Sequence, residues 1–321
     1  MTNHPTDRAA VKELVARLTS FWMAGDGDLK PEDFSHVSQL FSSHHGNAEG
    51  FTNITAKLRQ DTANSPMQGK LTNLYVATDS EHAVASFYSF GLLGNSNRNL
   101  FLFGSTQVVQ LSKINGRWCI DTIRLVINWS KGNVNQVPHW QNLPGEHGWE
   151  MGFEAPALVS ELHSPWTVMP DVPPPENLQE ALEELYYRYA FSVDQNDMGL
   201  LKASYSEDIS GGFAPVGNLS GREQVIGTLK NFRHLASVWQ HFAEVVRYEE
   251  EDDGKHVKLI VARIIPERPV DEAGNTLYGA HYQLLARKLE SGQWNFCWTD
   301  YRPGWFSADN IPEFDIGNAT A

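Results

Sequence analysis

Between Thr6 and Met23 the apolar residues Val11, Leu14, Val15, Leu18, Phe21 and Trp22 recur at steps of three and four. That spacing predicts a helix with one buried face. Beyond Gly25, Gly27 and Pro31 the pattern predicts a second helix over Phe34–Phe41 and a third over Ile54–Thr62. From Leu71 the period falls to two. Thr72–Ala77, His82–Leu92, Leu100–Leu111 and Trp118–Trp129 read as strands, and Asn115-Gly116 reads as the turn of a hairpin. The order then returns. Helices are expected over Leu178–Val193, Met198–Tyr205 and Arg222–Leu235, and strands over Val238–Tyr248, His256–Pro266, Gly279–Leu289 and Trp294–Arg302. Helices followed by strands predict an α+β fold, since an α/β chain would alternate them.

The two halves match position by position. Asp26 and Asp197 stand 171 positions apart, as do Val11 and Leu182. Gln107 and Gln283, Trp118 and Trp294, and Trp129 and Trp305 stand 176 apart. An offset that drifts by only a few residues predicts an internal duplication, which fixes the reading of the whole chain. We expect one domain over 6–131, a Trp- and Pro-rich connection over 132–176, a second domain over 177–308 and a tail over 309–321, with the two domains packed as an intramolecular pseudo-dimer. The connection carries Trp140, Trp149 and Trp166, too many aromatic residues for a flexible linker. It is expected to pack against one domain or both.

Composition narrows the function. The 321 residues carry a net charge of −14, which argues against nucleic acid as a partner. No apolar run has the roughly 20 residues a membrane helix needs, and the first residues show no signal-peptide pattern, so a cytoplasmic location is expected. The two cysteines, Cys119 and Cys297, fall at equivalent places of the two halves and read as separate buried thiols. The acidic run Glu249–Asp253 reads as a solvated hairpin turn. No Gly-rich phosphate loop, paired cysteine ligands or nucleophile motif is visible, and no cofactor or metal is expected.

Two residues of the second half carry chemistry. Asp194 lies one turn after Ala190, near a helix C-terminus and beside the apolar stripe. The helix dipole and partial burial both disfavour its charge, so it needs a compensating donor. It could also simply end the helix or bond a nearby backbone amide. His241 sits in Trp239-Gln240-His241-Phe242-Ala243-Glu244-Val245, where alternation puts Trp239, His241, Ala243 and Val245 on the less polar face. Such a histidine is either a hydrogen-bonded core residue or a base.

The ordered set Arg188-Tyr189-Ala190 with Asp194, Gly221-Arg222-Glu223, His241, Gly279 through Tyr282, and Gly292-Gln293-Trp294 resembles the SnoaL-like group of the nuclear-transport-factor-2-like superfamily. The resemblance covers most of the chain as two tandem copies. It implies two cone-shaped, helix-backed, curved mixed sheets, each around a pocket. In members such as scytalone dehydratase and lindane dehydrochlorinase, an Asp after the first helix pairs with a His that removes a proton from the substrate. Asp194 and His241 stand at the matching positions. The superfamily also holds non-catalytic binders, so the fold alone does not fix the activity.

The expected chemistry is proton abstraction from a small apolar, cyclic substrate: a dehydration, isomerisation or cyclisation. His241 is the base and Asp194 its orienter. Trp294, Phe296, Trp298, Asp300 and Arg302 share a strand face by alternation, so Arg302 is expected at the pocket mouth as electrophilic support, unless it pairs with Asp300. Tyr189, Trp239, His281, Tyr282 and Trp298 are expected to bind substrate. The first half has Met23 where the second has Asp194, and His44-His45 shows no metal-ligand spacing. It is expected to be non-catalytic. The rivals are a ligand-binding protein that uses the same interior without turnover, and an interaction module built on the Trp-rich connection. Further homo-oligomerisation is open.

Overall fold

The first helix, α1 (Asp7–Ala24), starts where the Thr6 hydroxyl accepts the Ala9 N–H, and ends at Gly25, whose φ of 74° needs no Cβ penalty to be met. The structure is a computed structural model and describes residues 6–63, 66–94, 99–144, 155–235 and 240–316. The chain divides into two units, Met1–Val172 and Pro173–Ala321, and each is described by itself.

In the first unit α1 is followed by β1 (Phe34–Ser42), β2 (Gly46–Glu49), α2 (Gly50–Gln60), β3 (Gln68–Thr78), β4 (His82–Leu93), β5 (Phe101–Ile114), β6 (Arg117–Gly132) and a short helix α3 (Pro165–Val168). The six strands form one mixed sheet in the order β2-β1-β6-β5-β4-β3, with β1 parallel to β6 and the other neighbours antiparallel. The face of α1 that carries Val11, Leu14, Leu18, Phe21 and Trp22 is buried in the core of this unit. Asn115 and Gly116 both have positive φ, 53° and 78°, as a two-residue hairpin turn requires.

The helix expected over Phe34–Phe41 is a strand. Its buried positions do alternate, at Ser38, Leu40 and Ser42, but two of the three are serine, while the apolar Val37 is 78 % exposed. Apolar spacing could not show a period carried by serine. From the connection, the Trp140 ring packs against Phe101 and Phe103, and Trp166 stacks on Tyr75 with centroids 5.0 Å apart. Trp149 lies outside the described residues.

The second unit repeats the plan with α4 (Leu178–Asp194), α5 (Met198–Ser204), β7 (Tyr205–Phe213), β8 (Gly217–Ser220), α6 (Arg222–Leu235), β9 (Ala243–Glu250), β10 (His256–Ile264), β11 (Leu277–Lys288) and β12 (Trp294–Ser307). Its strand order, β8-β7-β12-β11-β10-β9, is that of the first unit strand for strand. The fold is α+β with two mixed six-stranded sheets, as the duplicated pattern implies. Sequence reading missed the hairpins β1-β2, between α1 and α2, and β7-β8, between α5 and α6. The helices-then-strands order is corrected accordingly. Asp197 caps α5, accepting the Leu200 N–H at 3.0 Å. Cys119 and Cys297 are free and buried, one in each unit. Among the described residues no helix is long and apolar enough to cross a membrane.

Candidate functional site

The last residue of α4 organises the second unit's interior. Ala181, Leu182, Leu185, Tyr186, Tyr189 and Ala190 are the buried stripe of α4, and Asp194 follows Ala190 by one turn. Its carboxylate takes two hydrogen bonds from one residue. Oδ2 accepts the His241 backbone N–H at 2.8 Å, and Oδ1 lies 2.7 Å from His241 Nδ1. The side chains are 2 % and 4 % exposed, so this is a buried acid–imidazole pair. Both readings raised for Asp194 hold at once: it bonds a backbone amide and it orients an imidazole.

That amide bond explains a difference from the sequence expectation. His241 was expected inside a strand over Val238–Tyr248, but β9 begins at Ala243. The His241 N–H is committed to a carboxylate and is not available to a ladder, so the residue stands just before the strand. Trp239 lies outside the described residues.

Strand register sorts the other candidates by face. Tyr282 pairs with Tyr301 across β11 and β12, and with Val261 on β10. Their face is the inner one: the Tyr282 ring lies 6.0 Å from Tyr186, 6.2 Å from Tyr189 and 6.5 Å from His241. Tyr189 stands 5.9 Å from His241 and 6.1 Å from Phe296. His281 pairs with Arg302, one residue out of phase with Tyr282 and Tyr301, so both lie on the opposite face. There the His281 ring meets Phe306, and burial with the nearby Arg302 charge lowers its pKa. Arg302 binds Asp300 at 2.8 Å and Asp315 at 3.2 Å. Trp298 lies on that outer face as well.

The reason for the split is a bulge. Leu285 pairs with Trp298 and Ala286 with Phe296, so Cys297 has no opposite residue and the alternation along β12 changes parity there. Trp294 and Phe296 face inward, whereas Trp298, Asp300 and Arg302 face outward. The shared face expected for these five residues is corrected in this way. The structure brings together Asp194, His241, Tyr189 and Tyr282, and leaves His281, Trp298 and Arg302 on the other side of the sheet.

The inner cation is Arg263, which sequence reading passed over. It pairs with Ala280 and lies two residues from Val261, on the Tyr282 face. Its Nη2 donates to the Gln240 carbonyl at 3.0 Å, and Tyr186, Tyr282, Asp194 and Tyr301 raise its pKa against the opposing effect of burial. Burial raises the pKa of Tyr186, Tyr189, Tyr205 and Tyr282, which keeps all four as O–H donors. Among the described residues the buried Tyr186 hydroxyl has no hydrogen-bond partner. Arg263, Tyr282 and Tyr301 retain partial exposure although they face inward. A lone arginine inside the apolar run Leu259-Ile260-Val261-Ala262-Arg263-Ile264-Ile265 was the available signal. A separate cleft of about 460 Å³, lined by Pro173, Pro174, Glu250, His256 and Trp294 among others, does not include the pair.

In the first unit Met23 stands at the place of Asp194 and is buried, with its Cε against Gly69. This interior has no acid–imidazole pair at that position.

Residues 177–299 match the family model of the SnoaL-like domain. None of the curated proteins compared with the sequence matches it. Among solved structures, the chain is similar to Kfla4162 from Kribbella flavida (17 % identity, covering 41 % of this chain and 96 % of that one, TM-score 0.35). It is similar to an NTF2-like protein with a cystatin-like fold from Novosphingobium aromaticivorans (17 %, 41 % and 87 %, 0.33). It is also similar to LinA (12 %, 39 % and 88 %, 0.33).

Proposed function

We propose that the second unit, whose residues 177–299 match the family model of the SnoaL-like domain, is a cofactor-independent acid–base site for a small, largely apolar, cyclic substrate. His241 removes a proton next to a carbonyl or a leaving group, as in a dehydratase, isomerase or cyclase. The carrying observation is the 2.7 Å contact between Asp194 Oδ1 and His241 Nδ1. With Nδ1 committed to the carboxylate, proton transfer runs through Nε2. Asp194 holds the ring's orientation and stabilises the imidazolium once it forms. Arg263, with the hydroxyls of Tyr282 and Tyr186, supplies donors to an oxygen that gains charge as the proton leaves. Arg263 thereby takes the place first given to Arg302.

The test is α-proton exchange in D2O, followed by NMR over a panel of cyclic ketones and β-hydroxy ketones. Exchange by the wild-type chain is expected, falling at least about 100-fold in His241→Gln, the usual worth of a general base. Equal exchange by the two chains would remove His241 from the chemistry. A ligand-binding module without turnover is the second reading. The cluster of tyrosine donors favours it, because such donors hold a polar aromatic ligand without a base. Binding that persists in His241→Gln, with no exchange by the wild type, selects that reading.

A further inference from the structure

The first unit holds a second buried cluster, built at another place in the fold. Asp61 caps the C-terminus of α2, and its carboxylate is fully buried. Five side chains converge on it. Oδ2 accepts the Trp22 indole N–H at 2.7 Å, and Oδ1 accepts that of Trp140 at 2.6 Å. His45 Nε2 and His139 Nε2 lie 2.9 and 2.6 Å from Oδ1. The fifth contact does not close. His44 Nε2 is buried and stands 3.7 Å from Oδ2, too far for a hydrogen bond, with no other partner among the described residues.

The protons of this cluster are constrained by Ser42. Its Oγ lies 3.1 Å from His44 Nδ1 and 3.2 Å from His45 Nδ1. One hydroxyl has one proton, so at most one of these nitrogens accepts from it and the other must donate to it. If Ser42 donates to His45, then His44 carries its proton on Nδ1. Its Nε2 lone pair then faces a carboxylate lone pair in a buried space, which is repulsive. A cation between the two atoms removes that repulsion.

We propose that the first unit contains a divalent transition-metal site formed by His44 Nε2, His45 Nε2 and Asp61, with His139 at its entrance as fourth ligand or gate. The three ligand residues already bring their donor atoms within 4.8 Å of one another. A 3.7 Å gap is within reach of two bonds of about 2.0–2.1 Å to one shared metal. Two imidazoles with a carboxylate suit zinc, iron(II), cobalt or nickel better than calcium or magnesium. When the site is loaded, His45 presents Nε2 without its proton, so both imidazoles carry their proton on Nδ1, beside the Ser42 Oγ that also accepts the His44 and His45 backbone N–H groups. Ser42 and the two indoles then hold the ligands from behind, in the way outer partners orient metal ligands. His139 is the only one of the four with appreciable exposure, its side chain 27 % accessible, which makes it the route inward.

The test uses the full chain, stripped with a chelator and titrated with Co²⁺ followed by visible absorption, then with Zn²⁺ in competition by calorimetry. One Co²⁺ per chain is expected, with the intense absorption of a low-coordinate nitrogen–oxygen site. Ser42→Ala should weaken it about 10- to 100-fold, and His44→Gln should abolish it. His241→Gln should bind as the wild type does, so this result is independent of the chemistry proposed for the second unit. A wild-type chain that stays folded by circular dichroism and takes up no Co²⁺ overturns the proposal and leaves a pure hydrogen-bond hub. Unchanged affinity in a folded His44→Gln chain overturns it equally. If the variants misfold, the wild-type titration still decides.

Discussion

Replacing Asp194 by Ala removes the acceptor for two buried donors at once, the His241 backbone N–H and the ring N–H at Nδ1. Each donor left buried without a partner costs about 1–3 kcal/mol. Together they predict about 2–6 kcal/mol, a large share of the 5–15 kcal/mol that holds a typical domain. The loss is local first, because His241 stands just before β9 and outside its ladder. Hydrogen exchange resolved by residue reads this directly. At the lower end, 2 kcal/mol speeds exchange of the His241 amide about 30-fold, since 1.4 kcal/mol is tenfold. Nitrogen NMR of the ring gives the second readout. In the neutral wild-type ring the proton sits on Nδ1, and in Asp194→Ala the preference is lost. An amide whose exchange changes less than threefold, or a wild-type ring protonated at Nε2, would refute both the geometry and the role drawn from it.

Arg263 and Arg302 should behave oppositely. Arg263→Met removes the inner cation and the donor to the Gln240 carbonyl, so proton exchange on a turned-over ketone should fall about 100-fold or more. Arg302→Ala breaks partly exposed pairs with Asp300 and Asp315, costs at most about 1 kcal/mol, and should leave exchange unchanged; the two rates decide. The first unit should be acid-labile. Burial and His45 lower the His44 pKa from 6.5 to about 3, so the unfolded chain binds that proton first. Stability is then lost progressively as pH falls from about 6.5, by up to about 1.4 kcal/mol per pH unit. Burial raises the Asp61 pKa, but the close imidazoles of His139, His44 and His45 outweigh it and hold the pKa well below the usual range. That contribution is present above the unfolded carboxylate pKa of about 3.9 and is lost below it, in the same direction. Denaturation of the chelated chain at pH 7 and pH 5 should show the loss, and His44→Gln should flatten it. Equal slopes would refute the buried neutral imidazole.

The duplication and the long elements were legible because their signals are local. The α1 and α4 faces are mostly aliphatic and aromatic side chains at helical steps, and β3–β6 and β10–β12 are long, largely buried runs that no turn interrupts. The hairpin β1-β2 was not legible, because serine occupies its inner positions and a period must be carried by apolar residues to be seen. The site divides in the same way. Asp194 and His241 were found through a motif, and Tyr189 and Tyr282 through their places on a helix and a strand. Arg302 was drawn to the wrong face because a single bulged residue, Cys297, inverts everything after it. No count along one strand reveals a bulge, which exists only against the neighbouring strand. Arg263 was hidden for the converse reason. Its importance comes from facing Tyr282 and Asp194, and those contacts join residues far apart in sequence.

The same rule of compensation governs both units, and it explains where each cluster sits. Asp194 ends α4 and Asp61 caps α2, so each carboxylate stands at the end of a helix where the backbone dipole repels it, and each is buried. Neither is tolerable without donors. In the second unit the donors include one histidine's ring and amide, and the rings of Tyr189 and Tyr282 stand beside that imidazole. In the first unit the position of Asp194 has become Met23, and the carboxylate stands instead at the end of the other helix, met by two indoles and three imidazoles. An imidazole with one orienting acid is an arrangement for moving a proton. Several imidazoles converging on one acid, with one contact left open at 3.7 Å, form an arrangement for holding a cation. The two units thus differ in which helix end carries the buried carboxylate and in the number of nitrogens that face it.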